Sequence, residues 1–311
     1  GEAGLRTGRK LQLPVIFTYH TLYEKYLHYV PLDRNIAKPV LNELVKSYAN
    51  QCDVVIAPSQ YVKDTIKLDT RVEVIPTGIE IKKPESLEYI REKYHLPKRT
   101  KILFHAGRLT REKNLRFLVR STIQILKEER DAICFIAGKG SEKEALMGLV
   151  QDHNLSHRII FTGNLGKKEL SQYYAGADLF LFASKSETQG LVLMEAMAGA
   201  TPVIAIEGPA IDECVIHGTN GFIATEHMQD FKNKTLEALK QENLRKLSRN
   251  AREFAEGYSI DTMGRRLLGI YKEYKGKQVK KEYKDFRQIR NLSQLEWSQI
   301  IGALFRREQD A

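Results

Sequence analysis

The 311-residue chain is 42% hydrophobic and 9% aromatic, which is ordinary for a globular protein, excludes extensive disorder and leaves room for two domains. Its 49 lysines and arginines exceed 39 acids for a net charge of +10, which suits nucleic acid, anionic lipid or a negatively charged substrate. No apolar run reaches the about 18–20 residues that span a bilayer, and there is no signal peptide; the odd, scattered Cys52, Cys134 and Cys214 then read as free thiols of a cytosolic protein. No zinc-finger spacing, RNP-like aromatic block or glycine-arginine tract accompanies the charge, so nucleic acid is set aside.

The chain opens with Gly1–Leu11, which reads as the middle or end of a helix with no start signal before it. Pro14–Tyr19 follows as a strand. His20 stands at its carboxyl end, where α/β sheets bind ligands; it reads equally as a loop histidine held by backbone. In the stretch after it, Tyr26, Leu27, Tyr29 and Val30 form either an apolar mouth or a packed loop. Leu41, Leu44, Val45 and Tyr48 recur at helical spacing over Ala37–Ala49, and Lys38 and Lys46 lie off that stripe. This is an ordinary surface helix or a cationic one resting on a bilayer. Val54–Ala57 is a strand, Ser59 caps the next helix, and Val72–Ile75 is a strand ended by Pro76-Thr77-Gly78-Ile79.

From here strands and helices alternate. Strands are predicted at Lys101–His105, Ala132–Ala137, Arg158–Thr162, Leu179–Phe182, Pro202–Ile206 and Gly221–Ala224, with helices between the first five and an irregular segment before the last. Short apolar strands separated by amphipathic helices predict a parallel, doubly wound sheet. No Gly-x-Gly-x-x-Gly follows the first of these strands, which disfavours a nicotinamide cofactor. Gly107 lets the chain turn, Arg108 stands at the tip, and Lys113 precedes Asn114, a candidate cap for the helix bearing Leu115, Leu118, Val119 and Ile123. An arginine that grips two oxygens and a lysine acting as a point charge suit a diphosphate; two solvated loop charges are the plain alternative. Gly138-Lys139-Gly140 turns near the same sheet edge. Phe161 and Gly163 end the third strand, Phe161 being equally good as core.

The fourth strand leads into Ser186–Gly199, where small polar residues turn the chain into a helix opening near Gly190. Such an opening offers free N–H groups and a positive dipole end to an anion. Glu187 in the loop and Glu195 in the helix flank it; carboxylates repel phosphate, so these two suit hydroxyls. Asp178 and Asp212 lie near turns without an assigned role. Two helices fill Met228–Glu256, and another spans Ile260–Tyr274. Lys272, Lys275, Lys277, Lys280, Lys281 and Lys284, interleaved with Tyr271, Tyr274 and Tyr283, form either a solvated tail or a patch for an anionic bilayer. Ser293 precedes a last amphipathic helix bearing Leu295, Ile300, Ile301, Leu304 and Phe305.

Glu187 and Glu195, with seven residues between them, resemble the Glu-x7-Glu signature of retaining glycosyltransferases of the GT-B fold. Gly107–Asn114 resembles that family's diphosphate-binding block and Phe161–Asn164 its base-binding strand end, in the same order and spacing. The resemblance implies an α/β protein of two Rossmann-like doubly wound parallel-sheet domains. Residues 1–84 would be the remnant of an acceptor-side domain lacking its front half, 85–257 the nucleotide-sugar domain, and 258–311 a crossover helix and basic tail. It also implies roles. Glu195 would hold ribose hydroxyls. Glu187, helped by backbone at Gln189, Gly190 and Leu191, would hold the hexose. Gly107, Arg108 and Lys113 would meet the diphosphate; Gly138, Lys139, Phe161 and Gly163 would meet the nucleoside. His20 would be the active-site histidine near the sugar. No Asp-x-Asp occurs, so the donor, expected to be UDP-glucose, would be used without a metal. His-Thr-x-Tyr-Glu-x-Tyr-x-His-Tyr resembles the branch that glucosylates diacylglycerol, at the inner face of the plasma membrane; a soluble or polysaccharide acceptor, or an inactive sugar-nucleotide-binding fragment, are the alternatives.

Overall fold

The computed structural model describes residues 2–21, 34–82, 86–279, 281 and 283. The tyrosine-rich stretch after His20, Pro84, Lys280, Lys284 and the helix expected after Ser293 lie outside these described residues. The chain divides into two compact units, Gly1–Pro76 with Arg266–Ala311, and Thr77–Arg265.

In the first unit α1 (Glu2–Lys10), β1 (Ile16–Thr18), α2 (Arg34–Ala49), β2 (Val54–Ala57), α3 (Gln60–Ile66) and β3 (Val72–Val74) build a parallel sheet in the order β1-β2-β3. The central strand is buried throughout, as its run of Val54, Val55 and Ile56 requires of a strand covered on both faces. Ser59 caps α3 as expected, its Oγ accepting from the Val62 N–H at 3.2 Å. Arg9, on α1, is buried 2.8 Å from Asp53. Burial works against the Asp53 carboxylate, but the Val15 N–H, Arg9 and Lys281 all donate to it and hold its carboxyl below the usual range.

The second unit contains α4 (Tyr89–Lys93), β4 (Lys101–Ala106), a 3-10 turn (Arg111–Lys113), α5 (Leu115–Glu128), β5 (Ala132–Ala137), α6 (Lys143–Gln151) and β6 (Ile159–Gly163). Then come α7 (Lys167–Gly176), β7 (Leu179–Phe182), α8 (Leu191–Ala198), β8 (Val203–Ile206), α9 (Pro209–Asp212), β9 (Gly221–Ala224), α10 (Met228–Leu239) and α11 (Gln241–Glu256). The helix α12 (Ile260–Tyr274) starts here and ends in the first unit. All six strands are parallel, in the order β6-β5-β4-β7-β8-β9. Alternate residues serve opposite faces: Leu103 packs under α5 and α10, while Phe104 joins Phe135, Tyr173, Phe180 and Met194 on the other side.

Element ends moved slightly. Pro202 lacks an N–H and so stands just outside β8, though its carbonyl still accepts from the Phe180 N–H at 2.9 Å. The segment expected to be irregular holds one helical turn, α9, with Pro209 at its start.

The strand order reverses between β4 and β7. That places the loops leaving their carboxyl ends side by side, the point where doubly wound sheets open a crevice. One loop carries Gly107–Asn114 and the other Ser184–Gly190.

Candidate active site

Three loops at this edge are stitched through backbone. The Gly107 N–H donates to Ala137 O at 3.0 Å, Leu109 N–H to Lys139 O at 2.8 Å, and Gly138 N–H to Gly163 O at 2.8 Å. Gly138 has φ +138, and a Cβ there would stand 1.9 Å from Gly107 O, so only glycine lets these loops meet. Gly107, Gly138, Lys139 and Gly163, far apart along the chain, thus share one rim. Lys139 is exposed on it, whereas Phe161, on β6, is partly buried against the sheet's core.

Across the switch point Lys113 Nζ lies 2.6 Å from Glu187 Oε1, with both side chains about five-sixths buried at 16% and 15% exposure. The Lys185 N–H reaches Glu112 O at 3.5 Å and binds the same two loops through backbone. Glu112 anchors the turn from within. Burial disfavours its charge, yet its own backbone, Thr110 and the nearby Arg108 and Lys113 hold its carboxyl below the usual range. Arg108 Nη2 is 3.3 Å from Glu112 Oε1, which steadies a guanidinium that remains 57% exposed. Asn114 does not cap α5 with its side chain. It takes a left-handed conformation at φ 54, and its Nδ2 donates instead to Glu226 Oε1 at 2.9 Å.

Gly190 adopts φ +74 and starts α8, so the first N–H groups of that helix face the loop that carries Glu187. Glu195 stands further along α8, beside a cavity of about 460 Å³ that is also lined by Glu80, Lys82, Lys167, Ser171 and Tyr174. Desolvation raises its carboxyl pKa, while the Tyr174 hydroxyl, donating to Oε2 at 3.1 Å, and the Lys167 charge oppose the rise.

Residues 87–254 match the family described as Glycosyl transferases group 1, and residues 1–83 match Glycosyltransferase Family 4. The chain belongs to the group 1 glycosyltransferases. It is similar to the alpha-monoglucosyldiacylglycerol synthase of Streptococcus pneumoniae, at 36% identity over 69% of this chain and 51% of the relative. It is also similar to the synthase of that name from Acholeplasma laidlawii, at 28% identity over 90% of this chain and 74% of the relative. The chain therefore spans about half the length of the first relative and three quarters of the second. Among solved structures, HepE from Anabaena in complex with UDP superposes with a TM-score of 0.74 at 21% identity, over 87% of this chain and 75% of HepE. The fold is GT-B, with Rossmann-like parallel sheets.

In this group 1 glycosyltransferase the second unit gathers Gly107, Arg108, Lys113, Gly138, Lys139, Gly163, Glu187, Gln189, Gly190 and Leu191 at loops leaving its sheet, with Glu195 one turn into α8. His20 belongs to the first unit, exposed just beyond β1. Asp178 and Asp212 are structural: Asp178 Oδ2 accepts from the Ile102 N–H at 2.7 Å, and Asp212 Oδ1 from the Gly208 N–H at 3.4 Å. No cluster of three His, Cys, Asp or Glu side chains able to hold a metal occurs among the described residues.

Three contributors were not singled out from sequence. Glu112 and Tyr174 are two; His105 is the third. It is 1% exposed, and its Nδ1 sits 2.9 Å from Leu181 O, which only accepts, so Nδ1 carries the proton and Nε2 is left as a buried acceptor without a partner among the described residues. Burial first, and the nearby Lys113 charge after it, push its pKa down to about 4, so the ring is neutral. Its signal was available: a histidine directly after the apolar run Ile102-Leu103-Phe104 and before Ala106, within one strand.

Proposed function

We propose that the chain transfers glucose from UDP-glucose, with retention and without a metal, to diacylglycerol at a membrane surface. The observation that carries the reading is the Lys113–Glu187 pair at the switch point. A cation suited to a leaving phosphate and an acid suited to sugar hydroxyls occupy adjoining places, which is what a sugar bonded to a diphosphate needs. The names of the Streptococcus and Acholeplasma relatives support glucose and a lipid acceptor, and the UDP bound in HepE supports the nucleotide.

In this reading residues 85–257 form the donor domain and 1–84 part of the acceptor domain. Glu195 accepts from the ribose hydroxyls beside its cavity. The nucleoside rests on the rim of Gly138, Lys139, Gly163 and Phe161. Arg108, Lys113 and the N–H groups at Gln189–Leu191 neutralise the diphosphate as negative charge gathers on it, an effect strengthened when water is excluded. Donor binding draws Lys113 toward phosphate and frees Glu187 for the hexose. The acceptor hydroxyl then attacks the anomeric carbon from the face that UDP leaves. The carbon–oxygen bond to phosphate breaks, the bond to the acceptor forms, and a phosphate oxygen takes the hydroxyl proton. His20 is assigned to the transferred sugar on resemblance.

The membrane part rests on exposed Lys272, Lys275 and Lys277 beside Tyr271 and Tyr274, each cation contributing about 1 kcal/mol near an anionic surface. No described helix is long and apolar enough to cross a membrane. The test is incubation with UDP-glucose and dispersed diacylglycerol, followed by NMR of the product's anomeric proton. An α-glucosyl lipid is expected. UDP binding without product on lipid or soluble acceptors would leave the chain a sugar-nucleotide-binding module.

A further inference from the structure

Gln189 lies between Glu187 and α8 and is 5% exposed. Its amide spends both of its groups on one distant residue. Oε1 accepts from the Thr77 N–H at 2.8 Å, and Nε2 donates to Thr77 O at 3.0 Å, across 112 residues of sequence. A side chain thereby imitates a rung of β pairing. The main chain of Gln189 is also held, its carbonyl accepting from Cys214 Sγ at 2.9 Å.

Thr77 begins the second unit. The residues after it are gripped as well, since the Ile79 N–H donates to Tyr258 O at 2.9 Å and the Ile260 N–H to Ile79 O at 3.0 Å. Gly78 is pressed so closely that a Cβ would stand 2.7 Å from Ile260 Cα. Ile260 starts α12, the helix by which the chain leaves the unit again. The entry and the exit of the polypeptide are therefore fastened together. The Gln189 side chain joins this fastening to the loop of Glu187.

We propose that Gln189 is a positioning residue, whose amide sets the place of Glu187 and of the first N–H groups of α8 by clasping the Thr77 backbone. What the loop binds rests on the donor reading above; the clasp does not. A hydrocarbon side chain of similar length would leave two backbone groups without partners. A carboxylate would accept from the Thr77 N–H and repel Thr77 O.

The test is Gln189→Glu in the full chain, which keeps the shape and removes one donor. A carboxyl buried at this place has a raised pKa, so acid restores its hydrogen and with it both bonds. The titratable groups on the elements that meet the loop are Glu187 with its partner Lys113, Lys185, Glu112, His105, Glu213, Cys214 and, on α8, Glu195. Burial pushes the Cys214 thiol up to about 12 and so keeps it neutral, and the raised pKa of Glu195 makes wild type at the same pH the reference for every reading. Hydrogen exchange, corrected for intrinsic rate, should be roughly tenfold faster at Thr77–Ile79 and across 184–190 in the variant at pH 8, and should return toward wild type at pH 5.5. The KM for UDP-glucose should rise about tenfold at pH 8 with the same recovery in acid. Gln189→Asn, too short to reach with both groups, should show the loss without the recovery. Unchanged exchange at Thr77, or restored exchange with no change in UDP-glucose affinity, overturns the proposal. A wild-type chain that binds no UDP-glucose overturns the donor reading, and exchange across 184–190 then decides the clasp by itself.

Discussion

The Tyr174 hydroxyl stands 3.1 Å from Glu195 Oε2, so one carboxylate oxygen is engaged from behind while the side chain lines the cavity. Desolvation raises the Glu195 pKa and the tyrosine opposes it. As a carboxylate Glu195 accepts from both hydroxyls of a diol; protonated, it does not. UDP affinity should therefore weaken as pH falls through this raised pKa. Tyr174→Phe should move that acidic limb to higher pH and weaken UDP by about 1 kcal/mol at neutral pH. Calorimetric titration of UDP against pH measures both. Glu195→Ala should weaken UDP at every pH.

Glu187→Gln should abolish turnover without weakening UDP, because UDP carries no hexose and the change frees Lys113 from its ion pair. Lys113→Ala should lower kcat by about 10²–10³ through loss of charge stabilisation at the departing phosphate. Steady-state rates paired with UDP titrations read the two effects separately. Transfer left intact by both substitutions would end the assignment.

Gly138→Ala and Gly163→Ala should differ. Both residues have positive φ, at +138 and +72. At Gly138 the methyl meets Gly107 O at 1.9 Å, whereas nothing lies within 4 Å of a Cβ at Gly163. The second change should cost about 1 kcal/mol, the backbone penalty alone. The first adds a collision with main chain and should cost about 3 kcal/mol, with loss of the Gly107 turn. Urea unfolding monitored by circular dichroism gives both values.

Asp53→Asn leaves buried Arg9 without its counter-charge and should destabilise by about 3 kcal/mol at neutral pH. The Asp53 pKa is held down in the folded state, so its contribution is present above the ordinary carboxylate pKa and lost as pH falls through the lower folded value. The gap in Tm between variant and wild type should be full near pH 7 and begin to shrink only as pH falls below the ordinary aspartate pKa of about 3.9. Calorimetric scans across that range test the sign.

Much of this molecule was determined locally. Apolar runs such as Leu179–Phe182, the Ser59 cap and the glycine before α8 each follow from a few neighbouring residues, because strand burial, capping and a positive φ are short-range matters. The acids at 187 and 195 were legible for the same reason: one loop and one turn of helix carry both. Asn114 shows the limit. Its type suited a cap, yet Glu226, brought near by the fold, took its side chain. The Lys113–Glu187 pair spans 74 residues and the Gln189–Thr77 clasp 112. These depend on β7 lying beside β4 and on the chain's entry being fastened beside α12. Strand order is settled by the packing of both sheet faces together, which no local pattern contains, and so the partners of these charges and amides were decided only in three dimensions.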